Sequence, residues 1–238
     1  MRALDGVGGS LEHVDAHQDI VAEGAVPRAV FLLQSGLACR YRILSDGRRQ
    51  ITNFLIPGDI CDLHVFLLRR MDHSIAAITG VLLARVAWEE VIDLTFDRPR
   101  IATALWCSAL QEEAILRERI VALGRRDARG RVAYLLCELY WRHRLVGLAQ
   151  DHCVTLPLTQ NELADALGLT PVHVNRVLQE FRRTKLLSLE QRLLVLHDLE
   201  KLQLIAEIKE DYLHLGGASG VAGSYVERRH LVRESQND

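Results

Sequence analysis

Asn175, Arg176 and Gln179 stand close together in one apolar-periodic segment, with Val172 just ahead of them and Arg183 just behind. An Asn or Gln amide can pair with both polar atoms on one edge of an adenine. A guanidinium can do the same with guanine, and a branched methyl group can touch the methyl of thymine. Wound into a helix, Val172, Asn175, Arg176, Gln179 and Arg183 share one side, whereas Val174, Val177, Leu178 and Phe181 share the other. The chemistry on offer is recognition of base edges by a helix whose back is buried.

Such a face needs elements that hold it, and the surrounding sequence supplies them. Thr159 and Glu162 have the spacing of a capping box, which predicts a helix start. Leu163, Ala164 and Leu167 form a stripe of helical period, and Gly168 is the residue type that ends a helix in the left-handed conformation. Thr170 can cap a second helix with Pro171 at its first position, where the missing N–H costs nothing. Ala164, Gly168, Val174 and Val177 fill the small, turn and branched apolar positions of a DNA-binding helix-turn-helix. The plainer alternative is a capped helical hairpin inside an ordinary core; the amide- and Arg-rich outer face argues for DNA.

The totals exclude several classes. The chain has 238 residues and a formal net charge of −2, so any basic footprint must be local. From Pro171 to Lys185 there are four bases (Arg176, Arg182, Arg183, Lys185) against one acid, Glu180. Five separated cysteines, with no C-x-x-C, fit reduced thiols in the cytoplasm. Residues 1–10 are Gly-rich and lack the apolar stretch of a signal peptide, and no apolar run approaches membrane-spanning length. No G-x-S-x-G, H-E-x-x-H, P-loop or dinucleotide fingerprint occurs, so nothing points to an enzyme.

In chain order, residues 1–16 read as a frayed or loosely helical lead-in. Residues 20–86 have β texture, with strands at 30–33, 37–44, 50–56, 74–79 and 82–86, and turns at Ser45-Asp46-Gly47 and Pro57-Gly58-Asp59. Residues 60–71 read as a short helix. Trp88–Asp97 is a further helix, and a long one runs from Pro99 to about Leu123 with Ile101, Leu105, Ala109, Leu116, Ile120 and Leu123 on an apolar edge. A partner copy would complete its burial. Gly124–Gly130 reads as a charged hinge, and Arg131–Arg144 as a helix. Residues 186–189 and 193–196 form a β-wing, and a last helix runs from Asp198 to about Tyr212. The expected fold is α+β: a jelly-roll-like β-roll over 1–98, a dimerisation helix over 99–124, a winged helix-turn-helix over 125–215, and a mobile tail over 216–238.

This order of parts, with Gly36, Gly47, Pro57-Gly58-Asp59, Gly130-Arg131-Val132-Ala133 and the 159–185 segment, resembles the Crp/Fnr family of bacterial transcription regulators across residues 15–210. The resemblance implies a homodimer that binds a near-palindromic DNA operator, a sensory domain of cyclic-nucleotide-binding shape, and contact with RNA polymerase. By position it places Thr170, Val172, His173, Asn175, Arg176 and Gln179 toward the DNA, with Gln160 and Asn161 near phosphates. Val172 replaces the Glu often found one turn before the Arg, so the best-known target sequences do not carry over.

The sensory site departs from the family pattern. Gly58-Asp59 stands for a Gly-Glu pair, but His73-Ser74-Ile75 replaces the Arg-Ser/Thr-Ala run whose Arg neutralises a phosphate. Leu116-Arg117 stands where cyclic-AMP responders carry Thr-Ser. Both departures argue against cyclic AMP. Asp59, His64, Asp72, His73 and Ser74 are the candidates to line an effector pocket. Cys61 and His64, at i and i+3 on one face of a helix, are conceivable haem or metal ligands in a redox sensor; a buried thiol and a packed His are the plainer reading. No closely spaced N-terminal cysteines offer an iron–sulfur cluster. A remaining alternative is a small-molecule sensor whose helix-turn-helix contacts protein.

Overall fold

A computed structural model describes residues 10–63 and 69–213. Among the described residues, eight strands build the N-terminal part: β1 (Ser10–Val14), β2 (Asp19–Val21), β3 (Ala29–Ser35), β4 (Ala38–Ile43), β5 (Arg49–Leu55), β6 (Ile60–Cys61), β7 (Ser74–Ala77) and β8 (Val81–Ala87). They form two four-stranded sheets, ordered β1-β8-β3-β6 and β2-β7-β4-β5. Every adjacent pair is antiparallel. Leu33, Ala38, Leu55, Cys61, Met71, Ile75, Val81 and Leu83 fill one buried cluster of this roll.

The second sheet is buried on both faces. Alternate residues of a strand point to opposite sides. Ala38, Leu55 and Ile75 therefore join the roll cluster, while Cys39, Phe54 and Ala76 join a larger cluster with the helices that follow. That is why Phe54-Leu55-Ile56 and Ile75-Ala76-Ala77 read as unbroken apolar stretches rather than alternating ones. At Gly36, with φ +89°, an added Cβ would sit 2.4 Å from the Gly80 carbonyl oxygen, so only glycine fits between the two strand ends.

Helix α1 (Trp88–Asp97) leads into α2 (Pro99–Arg125), and α3 (Ala128–Leu145) follows. Gly124 and Gly130 both lie within helices, leaving only Arg126 and Asp127 between α2 and α3. The charged run is a tight corner rather than a seven-residue hinge. Asp127 caps α3 by accepting the Gly130 N–H at 2.8 Å, and the Arg126 guanidinium sits 5.1 Å over the Tyr134 ring.

The single apolar edge expected for α2 is not what is observed: of its members Ile101 is buried while Leu116 and Ile120 are exposed, and other residues complete two separate faces. Ile101, Ala114, Ile115 and Ala122 are buried within the chain, whereas Trp106, Leu110, Leu116, Ile120 and Val121 are exposed.

The C-terminal part consists of β9 (Ala149–Gln150), β10 (Cys153–Thr155), α4 (Gln160–Leu167), α5 (Pro171–Arg183), β11 (Leu187–Glu190), β12 (Leu193–Leu196) and α6 (Leu199–Ala206), with a 3-10 turn at Glu210–Leu213. Its sheet is ordered β11-β12-β10-β9.

Three further expectations are corrected. Residues 10–14 are not helical but pair antiparallel with β8, a long-range match that their polar sequence does not announce. Ile60–Cys61 begins not a helix but β6, bonded to Phe31 and Leu32 of β3. The last helix stops at Ala206 because Glu207 takes a left-handed φ of 49°. Residues 64–68, in the other part of the expected 60–71 helix, and the tail from 216 lie outside the described residues.

Candidate nucleic-acid interface

Two caps and one left-handed residue fix the helix pair. The Thr159 N–H donates to Glu162 Oε2 at 2.6 Å, and Thr159 Oγ1 accepts the Glu162 N–H at 3.2 Å. Helix α4 ends at Gly168, with φ 61° and ψ 37°, whose N–H returns to the Ala164 carbonyl. Arg131 donates to the Leu167 carbonyl at 3.1 Å, pairing an acceptor that the helix end leaves open. Thr170 Oγ1 then accepts the His173 N–H at 3.2 Å to start α5.

The back of α5 is fully inside: Val174 and Phe181 are 0 % exposed and Val177 is 3 %. Its front is open. Val172 is 71 % exposed, and Thr170, His173, Arg176, Gln179 and Arg183 are exposed too. Asn175 is half-buried; Gln160 and Asn161 are exposed on the first turn of α4. All eight residues expected to meet DNA therefore lie on α5, its cap or the start of α4.

A cleft of about 290 Å³ opens between the start of α4, the side of α5 and the wing formed by β11 and β12. Gln160, Asn175 and Gln179 line it together with Arg182 and Arg192. The expectation counted Arg182 only in the local basic footprint and did not include Arg192. Arg182 reaches the Leu189 carbonyl at 3.2 Å and so ties α5 to the wing. Arg192 stands at the tip because Gln191 and Arg192 both take positive φ, 49° and 69°, which closes the hairpin in two residues. A basic residue at a two-residue hairpin tip beside a helix-turn-helix was the available signal.

The candidates expected to line an effector pocket are spread over different parts of the roll. A cavity of about 250 Å³ is lined by Ile20, Val26, Phe31, Asp62, Met71 and Ile75 among others. Asp59, Asp72, His73 and Ser74 are not in that lining, and His64 lies outside the described residues. Strand alternation is the reason for Ser74: Ile75 turns inward, while Ser74 accepts the Glu23 N–H at 2.9 Å. Asp72 is exposed and holds His73 Nδ1 at 2.7 Å. Asp59 lines a separate hollow with Arg40, Asn53, Glu112 and Arg142, and accepts from the Ile56 N–H at 2.8 Å and from Arg142 at 2.5 Å.

Cys61 is 1 % exposed in the roll core on a strand, not on the helix face expected for a ligand pair, and burial pushes its thiol up to about 12. Among the described residues, no group of three or more His, Cys, Asp or Glu is placed to hold a metal ion. Among them, too, no helix is long and apolar enough to cross a membrane.

Comparison with known proteins follows the same division. Residues 130–205 match the family model of the Crp-like helix-turn-helix domain, and residues 11–98 that of the cyclic nucleotide-binding domain. The nitrogen fixation regulation protein FixK of Bradyrhizobium diazoefficiens is 31% identical over 172 residues, 72% of this chain and 71% of that protein. The transcriptional activatory protein AadR of Rhodopseudomonas palustris is 32% identical over 169 residues, 71% of this chain and 69% of that one. The chain belongs to the Crp/Fnr family of transcription regulators.

Among solved Crp/Fnr structures, FixK2 from Bradyrhizobium japonicum aligns with a TM-score of 0.76 at 25% identity, covering 85% of this chain and all of that one. A CooA mutant from Carboxydothermus hydrogenoformans has the same fold, with a TM-score of 0.70 at 21% identity over 87% of this chain and 94% of that one. Operator binding by dimers is typical of the Crp/Fnr family, and this member presents the helix-turn-helix that such binding uses.

Proposed function

We propose that α5 is the recognition helix of a cytoplasmic operator-binding dimer. Arg176 takes a guanine, Asn175 and Gln179 take adenines, and Val172 lies against a thymine methyl. Thr170 and His173 flank them, and Gln160, Asn161, Arg182 and Arg192 take phosphates. The observation that carries this reading is the division of α5: Val174 and Phe181 are 0 % exposed behind, and Val172 is 71 % exposed in front. A helix anchored that firmly can offer its outer side chains to a groove without reorganising.

The partner is a second copy, paired along α2. Trp106, Leu110 and Ile120 are 70, 49 and 71 % exposed in one chain, and a twofold-related helix covers them. Bound at a promoter, the dimer acts on RNA polymerase as activator or repressor. Cyclic AMP is not assigned to the roll, because His73 takes the place of a phosphate-neutralising Arg and is itself engaged by Asp72 at 2.7 Å.

Footprinting on genomic DNA, followed by titration of the recovered site at two salt concentrations, tests the reading. The expected result is a pair of protected half-sites about 34–36 Å apart. Log affinity should fall against log salt with a slope of about −0.9 for each phosphate contact. Uniform, sequence-independent protection would overturn it.

A further inference from the structure

We infer that Arg142 is the positioning residue that fixes α5 relative to the roll and to α2, and thereby sets the half-site separation that the dimer accepts. This rests on the operator-binding reading above.

Arg142 belongs to α3, whose buried face shares one core cluster with Val174, Val177 and Phe181 of α5. Its guanidinium reaches out of that part of the molecule. Nη2 donates to the Phe54 carbonyl at 2.9 Å and to Asp59 Oδ2 at 2.5 Å, both in the roll. Nη1 donates to Glu138 Oε1 at 3.1 Å and lies 3.4 Å from Asn53 Oδ1. Glu138, 0 % exposed, also accepts from Arg119 of α2 at 3.1 Å. Two guanidiniums and two carboxylates thus join the roll, the dimer helix and the DNA-binding part at one point, buried except on the Asp59 side.

The geometry of that point is directional. A guanidinium presents its donors in a rigid plane, so carboxylates on two sides fix its angle as well as its distance. Apolar packing between the same elements would tolerate sliding. A buried, charged fork does not, because displacement leaves charge unpaired.

A second attachment, at α4, resists rotation about the first. Arg49 of β5 donates to Asp165 at 2.7 Å, and the Gln50 amide donates to the Ala166 carbonyl at 3.3 Å. Neither attachment covers the front of α5, where Val172 and Arg176 remain exposed. The docking therefore constrains the reading head without obstructing it.

The test uses the full chain and a set of palindromic operators whose spacers differ by a single base pair, a change that rotates one half-site by about 34–36°. Wild-type protein is expected to discriminate sharply among spacers. Asp59→Asn and Arg142→Met are expected to shrink the ratio of best to neighbouring spacer by about fivefold or more. Their dimer mass should not change. A purely structural loss lowers affinity equally for every spacer, and that result would overturn the inference. Asp59 is 30 % exposed, so Asp59→Asn carries the test alone if Arg142→Met does not unfold cooperatively. Failure of the wild type to prefer any palindrome would sink the operator reading itself, whereas wild-type discrimination kept intact by Asp59→Asn would sink only the positioning role.

Discussion

Arg119 of α2 and Glu138 of α3 meet at 3.1 Å with side chains 6 % and 0 % exposed. Burial pushes the Glu138 carboxyl up, but Arg119 and Arg142 outweigh it and hold the group below the usual carboxylate range. Glu138→Ala leaves two buried guanidiniums short of a partner and should lower unfolding free energy by roughly 3–5 kcal/mol. Because the folded carboxyl is depressed, the wild-type stabilisation is complete above the ordinary glutamate range, about pH 4.3, and is lost as pH falls through the lower folded value. Urea unfolding between neutral and acidic pH should show that loss in wild type, and Glu138→Gln should remove this group's share of it.

Arg176→Ala should relax preference at one guanine in each half-site by roughly 1–3 kcal/mol while the protein stays dimeric. Competition binding with every base at every half-site position measures it. A preference unchanged at all positions would remove Arg176 from base reading.

Two glycines with positive φ should respond unequally to alanine. At Gly168 the new Cβ would lie 3.6 Å from Leu123, an ordinary contact, so only the backbone penalty of about 1–2 kcal/mol applies. At Gly36 it would also collide with the Gly80 carbonyl at 2.4 Å, bringing the loss to the order of 3 kcal/mol or more. Denaturant midpoints rank the two, and an equal loss would contradict the packing described for Gly36.

Ile120→Glu places a charge on the exposed face of α2. Sedimentation should then report half the wild-type mass with helical content retained. Operator affinity should fall by about 100-fold or more, since the two half-sites are no longer linked. A dimer of wild-type mass would move the pairing surface elsewhere.

What the sequence disclosed divides by range. Thr159 with Glu162, Gly168, and Thr170 with Pro171 are local devices, so the capped helix pair was legible to within a residue. The wing itself was legible for the same reason, although its turn is Gln191-Arg192 alone, with Glu190 paired in the strand. β1 was not: all but one of its residues are exposed, and only pairing with β8 makes it a strand. Asp59 was legible only as part of a locally recognisable turn. Its partner Arg142 lies 83 positions away, and no spacing rule connects them. For α2 the expected edge included Ile101, Leu116 and Ile120 but not Trp106, Leu110 or Ile115, because a helical period alone does not tell which half faces its own chain.

Leaving Trp106, Leu110 and Ile120 uncovered in a single chain has a consequence for gene dosage. A regulator whose competent form needs two copies grows in abundance with the square of free-chain concentration when expression is low. Modest changes in synthesis or proteolysis would then swing promoter occupancy steeply, giving the cell a means of control that asks for no small molecule at all.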